Sequence, residues 1–333
     1  GVVWDAPANA PGTSPHQLRA VAGVLEGLAP LNAPWRRLVA FAARYYQRSL
    51  GEVALAALPP QLRDLQPEQL ARRLRRASTQ GDTFNATPLI ALSAEQESAR
   101  AEIDAKKGPF LLFGSTGSGK TEVYLRCVQD LLARSPTAQA LVMVPEINLT
   151  PQLEERFVAR FGAGSVVSLH SGMTNPQRLK SWLAAHSGQA RIVLGTRMAV
   201  FASLPGLGLI VVDEEHDPSY KQQEGARYSA RDLAVWRGRE QGAKVLLGSA
   251  TPSLESWYAA EQGRYGRVDL TRRAVATTLP AVRTLDVRRE KLLHGLAPRL
   301  LEALDLRLQR REQSLVFLNR RGYAPVLSCP SCG

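Results

Sequence analysis

The rhythm of apolar and polar positions changes at Leu92. Beyond it, short apolar runs alternate with polar or glycine-rich turns and with helix-length amphipathic stretches. The runs Phe110–Phe113, Ala140–Val144, Ile192–Leu194, Leu207–Val212 and Val245–Leu247 predict strands. Leu209-Ile210-Val211-Val212 is apolar throughout rather than alternating, as a central strand covered on both faces requires. Strands alternating with helices predict a doubly wound α/β domain with a parallel sheet.

Upstream the period is helical. Leu18, Val21, Val24, Leu25 and Leu28 give a helix from His16 to Leu28. Pro34 opens a second helix with Leu38, Val39, Phe41, Ala42 and Tyr45 on one face, and Pro59-Pro60 closes it. Arg72, Arg73, Arg75 and Arg76 share one predicted helix with a solvated face, and Gly81 to Pro88 has linker composition. A further α/β unit starts near Leu285, with a helix from Pro298 to about Arg311 and a strand over Ser314–Leu318. The expected organisation is a small module over 1–60, an Arg-rich linker over 61–91, an α/β domain over 92–284 and the start of another over 285–333.

Composition narrows the classes. With 333 residues, 44% hydrophobic and 22% charged, the chain is globular and has room for two or three domains. It lacks an apolar run of about 18 residues, which excludes a membrane span. Its first residues, Gly1-Val2-Val3-Trp4-Asp5, carry no basic region of a signal peptide. Three cysteines cannot build a disulfide framework, so a reducing, cytoplasmic setting is expected. Lys and Arg total 42 against 30 Asp and Glu, a net charge of +12. That excess suits a polyanionic partner such as nucleic acid; an Arg-favouring genome explains it equally well. An apolar start and a stop just after Cys329-Pro330-Ser331-Cys332 read as the ends of a fragment.

Two motifs carry specific chemistry. Gly114-Ser115-Thr116-Gly117-Ser118-Gly119-Lys120-Thr121 fits the phosphate-binding loop pattern between a predicted strand and an amphipathic helix. Its glycines let backbone N–H groups converge on phosphate oxygens at a helix N-terminus. Lys120 is expected to bridge the β- and γ-phosphates of ATP, and Thr121 to ligate Mg²⁺. The second motif, Asp213-Glu214-Glu215-His216, ends the central strand, where a carboxylate faces the nucleotide crevice. Asp213 is expected to hold Mg²⁺, Glu214 to act as general base toward water, and His216 to couple the site to a neighbouring element. Gly248-Ser249-Ala250-Thr251-Pro252 follows the next strand and suits a hinge bonded to Glu214 or His216. Cys127 is expected in the core. Cys329 and Cys332 supply half of a tetrahedral zinc site, a redox pair or free thiols.

In this order the motifs resemble the first RecA-like motor domain of a superfamily 2 helicase. Further strings narrow the resemblance. They include Val144-Pro145-Glu146-Ile147, Gly195-Thr196-Arg197-Met198, Asp217-Pro218-Ser219-Tyr220-Lys221 and Asn319-Arg320-Arg321-Gly322-Tyr323. Trp35, Tyr45-Tyr46 and Gly51-Glu52-Val53 resemble the end of a DNA-binding domain. Together they are similar to the bacterial replication-restart helicases of the PriA, or primosomal protein N′, family.

The resemblance implies an ATP-driven 3′→5′ motor on single-stranded and forked DNA that acts at stalled or abandoned forks. It implies single-stranded DNA-binding protein and primosome components as partners, and Zn²⁺ in the full-length protein. Gln96 would contact adenine, and Thr196 and Arg197 would lie on the DNA path. Tyr220 and Tyr228 would offer stacking faces, and Lys221 and Arg227 phosphate contacts. The family often has Trp where this chain has Ala226. The roughly thirty residues between Pro59 and Leu92 are too few for the family's winged-helix domain, a spacing read from the sequence. The arginine finger of the second lobe would lie beyond residue 333, which implies ATP binding with little turnover. Two other readings are an ATP- and DNA-binding fragment without useful catalysis, and a double-stranded DNA translocase.

Overall fold

The computed structural model of the chain describes residues 24–63, 65–78, 91–145, 151–272 and 281–317. It divides into two compact units, Gly1–Thr277 and Thr278–Gly333.

The larger unit is built on a seven-stranded sheet in the order β3-β4-β2-β5-β6-β1-β7, every pair parallel. In chain order these strands are β1 (Phe110–Gly114), β2 (Gln139–Met143), β3 (Val166–Leu169), β4 (Ile192–Gly195), β5 (Leu207–Val212), β6 (Lys244–Ser249) and β7 (Gly266–Leu270). Successive side chains on a strand point to opposite faces. Phe110 and Leu112 therefore join one core with Val142, Leu194 and Val211, while Leu111 joins another with Leu141, Val193 and Ile210. Each fully buried Val, Leu, Ile or Phe stabilises the fold by roughly 1.5–3 kcal/mol relative to exposure. Two such cores, one per face, are what make the sheet doubly wound.

Five of the strands coincide with the apolar runs. The other two, β3 and β7, have weaker patterns. β3 is only four residues long and carries a serine. β7 is an edge strand, Gly-Arg-Val-Asp-Leu, that buries Val268 and Leu270 and turns Arg267 and Asp269 to solvent. Alternation of that kind marks a half-exposed edge, not a buried run.

The helices of this unit are α1 (Ala33–Tyr45), α2 (Leu50–Ala57), α3 (Pro67–Ser78), α4 (Ala94–Ala105), α5 (Lys120–Arg134), α6 (Pro151–Phe161), α7 (Asn175–His186), α8 (Ala230–Gln241) and α9 (Leu254–Glu261). Local chemistry sets their starts. Asn32, Ser49, Ser93, Ser229 and Ser253 each accept a backbone N–H of the first turn. The helix expected to run from Pro34 to Pro59 is in fact α1 and α2. Gln47, at φ 55°, breaks the first, and Ser49 caps the second. The helix expected over His16–Leu28 lies mostly outside the described residues. From Val24 to Leu28 the chain forms a turn around Gly27, which has φ 90°.

Trp35, Leu38, Val39, Ala42 and Ala43 bury one face of α1 in the same core as Leu233 and Ala234 of α8. The Arg-rich stretch holds a short 3₁₀ turn, Pro60–Arg63, and α3. Arg72 and Arg73 are exposed, while Leu70 is fully buried with Leu179, Trp182 and Leu183 of α7.

The smaller unit contains α10 (Pro298–Gln309). Residues 314–317 form no strand, and Leu318 lies outside the described residues. A strand needs a hydrogen-bonded neighbour, and these four residues have none among those described. No helix among the described residues is long and apolar enough to cross a membrane.

Candidate functional site

The sheet order brings the two sequence motifs together. β1 ends in the phosphate loop, β5 ends in the acidic motif, and β6 lies between them. All three are parallel, so their carboxyl ends share one edge.

In the loop, Gly117 and Gly119 have φ 84° and 85°, a left-handed conformation that glycine takes without strain. Gly114 has no room for a side chain, since a Cβ there would lie 2.6 Å from Ser118 Oγ. Gly119 caps α5, and the N–H groups of Lys120 and Thr121 precede the first bond of the helix, from Glu122 to the Gly119 carbonyl. Free N–H groups there attract anions. The Lys120 side chain is buried, donates from Nζ to the Gly114 carbonyl at 2.8 Å and lies 3.9 Å from Glu214 Oε1.

Gln96 is buried behind this loop. Its Oε1 accepts the Ser93 N–H, and its Nε2 donates to the carbonyls of Ser118 and Gly119, each at 3.3 Å. Both ends of the amide are engaged by protein, so here Gln96 braces the loop and does not present its amide to a base.

Asp213 is held at several points. Its N–H donates to the Met143 carbonyl at 2.9 Å, and its own carbonyl accepts the Tyr220 hydroxyl at 2.7 Å. Its Oδ1 accepts the Tyr124 hydroxyl at 3.1 Å. Burial pushes the Asp213 carboxyl above the usual carboxylate range; the Glu214 charge adds to this, while Tyr124 and Lys120 oppose it. Glu214 sits at φ 45°, a strained position for a non-glycine residue and one found at functional sites. His216 lies 3.7 Å from Glu214, with Nδ1 2.7 Å from Ser249 Oγ and Nε2 3.3 Å from Thr251 Oγ1. The hinge thus bonds to His216, one of its two expected partners.

Sequence reasoning missed Glu215. It is 1% exposed, and its carboxylate accepts from Ser253 N at 2.7 Å, Ser253 Oγ at 3.0 Å, Ser256 Oγ at 2.8 Å and Arg231 Nη1 at 3.2 Å. It clamps the acidic motif to the start of α9 and to α8. The Ser253–Ser256 spacing of a helix cap was the available signal. Tyr124, one turn after Thr121, was missed as well.

The expected DNA-facing residues divide. Thr196 is 5% exposed and starts the 3₁₀ turn Arg197–Phe201, so its side chain is not displayed. Tyr220 is 3% exposed and offers no stacking face, because its ring is packed inward to reach the Asp213 carbonyl. Arg197 donates to the Ser219 carbonyl at 2.7 Å and bonds to the Tyr228 side chain, tying the segment between Asp217 and Tyr228 to the 3₁₀ turn. Tyr228 is half-buried edge-on to Phe201, and burial pushes its phenol up to about 12. Lys221 and Arg227 are exposed. Lys221 Nζ also lies 5.4 Å from the Tyr46 ring centre, and the Tyr46 hydroxyl accepts the Ser229 N–H at 3.0 Å. The small N-terminal helices therefore touch this loop directly. Cys127 is half-buried in α5, and burial pushes its thiol up to about 12. Cys329 and Cys332 lie outside the described residues.

Residues 93–258 match the DEAD/DEAH box helicase family, and residues 1–59 match a 3′DNA-binding domain. The sequence is 45% identical to the replication restart protein PriA of Haemophilus influenzae over 75% of this chain and 34% of that one. It is 40% identical to that of Bacillus subtilis over 76% and 32%. To that of Rickettsia felis it is 36% identical over 100% of this chain and 49% of the relative. The chain thus spans about a third to a half of the length of these relatives. Among solved structures, RecG bound to a three-way DNA junction is similar at a TM-score of 0.45 and 18% identity, covering 83% of this chain and 34% of that one. The helicase MrfA gives 0.46 and 18% over 75% and 38%.

Proposed function

The chain belongs to the PriA family of replication restart proteins, and from that premise we propose that its larger unit is the ATP-hydrolysing first lobe of a 3′→5′ DNA helicase acting at stalled or abandoned forks. The observation that carries this is the meeting of Lys120 with Glu214, 3.9 Å apart at the shared edge of β1 and β5. Phosphate-loop enzymes use a lysine on the β- and γ-phosphates and a nearby residue that orients the attacking water, and Lys120 and Glu214 fit those two parts.

In this reading the loop N–H groups and Lys120 bind the β- and γ-phosphates. Glu214 accepts the proton of the attacking water. His216 reports the state of that carboxylate to Ser249 and Thr251. The donor set fits Mg²⁺, which takes one or two carboxylates and otherwise water and phosphate oxygens: the Thr121 hydroxyl and Asp213 are hard oxygen donors. Bound there, Mg²⁺ neutralises charge developing on the phosphates. Lys221 and Arg227 are proposed phosphate contacts for single-stranded DNA, and Arg197 holds their loop in place. Cys329 and Cys332 are proposed as two of the four ligands of a tetrahedral Zn²⁺ site. A cytoplasmic location, with single-stranded DNA-binding protein and primosome components as partners, completes the proposal.

Mg²⁺-dependent ATP hydrolysis, measured with and without forked DNA, tests the reading against Lys120→Ala. Low turnover, stimulated by DNA and abolished in the variant, is the expected result. Equal nucleotide affinity and equal turnover in the two proteins would overturn it.

A further inference from the structure

We propose that Tyr124 is a positioning residue for Asp213, fixing the carboxylate that holds Mg²⁺, and that Gly248 makes room for it. The inference deepens the nucleotide-site reading above and rests on it.

Tyr124 is 2% exposed and lies three residues after Thr121 on α5. At 3.6 residues per turn this places it almost one turn below the hydroxyl proposed as the other protein ligand. Its phenol donates to Asp213 Oδ1 at 3.1 Å. One helix therefore carries Lys120, Thr121 and the group that orients Asp213, whose strand lies two places away in the sheet.

The strand between them is shaped for this contact. A Cβ at Gly248 would lie 1.4 Å from the Tyr124 oxygen and 2.6 Å from its Cζ. The hydroxyl thus occupies the space a side chain on β6 would fill. Glycine inside a strand weakens it and often marks a close approach by another group. Here that group is the phenol.

The Asp213 backbone is fixed independently, through Met143 and Tyr220. What remains free is rotation of the carboxylate about the side-chain bonds, and Tyr124 restricts it. Partners that orient a metal ligand act on metal affinity. A core tyrosine that merely satisfies its own hydroxyl would act on stability alone.

The test measures binding of a fluorescent ATP analogue by the whole chain, with and without Mg²⁺, in wild type, Tyr124→Phe and Gly248→Ala. Tyr124→Phe is expected to keep its Mg²⁺-free affinity and to need roughly 10-fold more Mg²⁺ to reach half of the metal-dependent gain. Gly248→Ala keeps the phenol but displaces it, and is expected to show the same shift. It decides the matter if Tyr124→Phe does not fold. A folded Tyr124→Phe with wild-type Mg²⁺ dependence would overturn the proposal. Asp213→Asn separates the two levels: if it leaves the Mg²⁺ effect intact, the nucleotide-site reading itself fails.

Discussion

The indole nitrogen of Trp35 donates to the carbonyl oxygen of Phe201 at 2.7 Å, joining α1 to the turn that follows β4. The flanking carbonyls, of Val200 and Ala202, accept from Arg237 of α8 at 2.7 and 2.9 Å. Two buried side chains therefore satisfy three successive carbonyls that the short 3₁₀ turn leaves unpaired. Trp35→Phe keeps most of the ring but removes the donor. The loss expected is about 1–3 kcal/mol, the cost of an unsatisfied buried acceptor. Urea denaturation checks it through a lower midpoint at an unchanged slope.

Glu215 has a different kind of importance. Removing its carboxylate leaves the Arg231 guanidinium, Ser253 and Ser256 with a lost acceptor in a largely closed space. Breaking a buried pair from one side costs about 3–5 kcal/mol. Glu215→Ala should therefore melt far below wild type, and Ser256→Ala, which loses one neutral donor, only slightly. A thermal scan in which the two variants melt together would contradict the clamp.

Much of this was legible beforehand, for physical reasons. The phosphate loop is written in glycines because left-handed φ at Gly117 and Gly119 admits little else. The central strands are written in aliphatic runs because both faces are covered. What stayed hidden were side chains whose roles depend on distant partners. Tyr124 and Asp213 are 89 residues apart, and no local pattern links them. Tyr220 has the residue type of a stacking platform, yet its hydroxyl serves Asp213 from inside. Residue type named the chemistry available, and the fold decided which way it faces.

Glu214→Gln should separate binding from turnover. The amide keeps the shape and the bound nucleotide but cannot take a proton. Nucleotide affinity is expected to stay near wild type while hydrolysis falls by about 10²-fold or more, the usual contribution of a general base. Equilibrium binding and single-turnover hydrolysis on the same sample check both halves.

His186 gives the fold a pH dependence. Its ring stacks on Trp182, with Nδ1 2.8 Å from Ser203 Oγ and Nε2 2.7 Å from the Ala29 carbonyl. Burial holds its pKa below the ordinary value, and the Ala29 bond only partly opposes this. The unfolded chain thus takes up a proton that the folded chain resists. This contribution to stability is complete above the unfolded value, about 6.5, and is lost as pH falls through the lower folded value. Urea midpoints should drop between pH 7 and pH 5, and His186→Gln should flatten that dependence.

The stitch between Tyr46 and Ser229 spans 183 residues. During synthesis at about 5–20 residues per second, the second partner leaves the ribosome some ten to forty seconds after the first. Through that interval Trp35, Leu38 and Val39 lack Leu233 and Ala234 of α8, which share their core in the folded chain. These helices are made well before the helix they pack against, so the nascent chain offers chaperones and proteases an apolar face until α8 is complete.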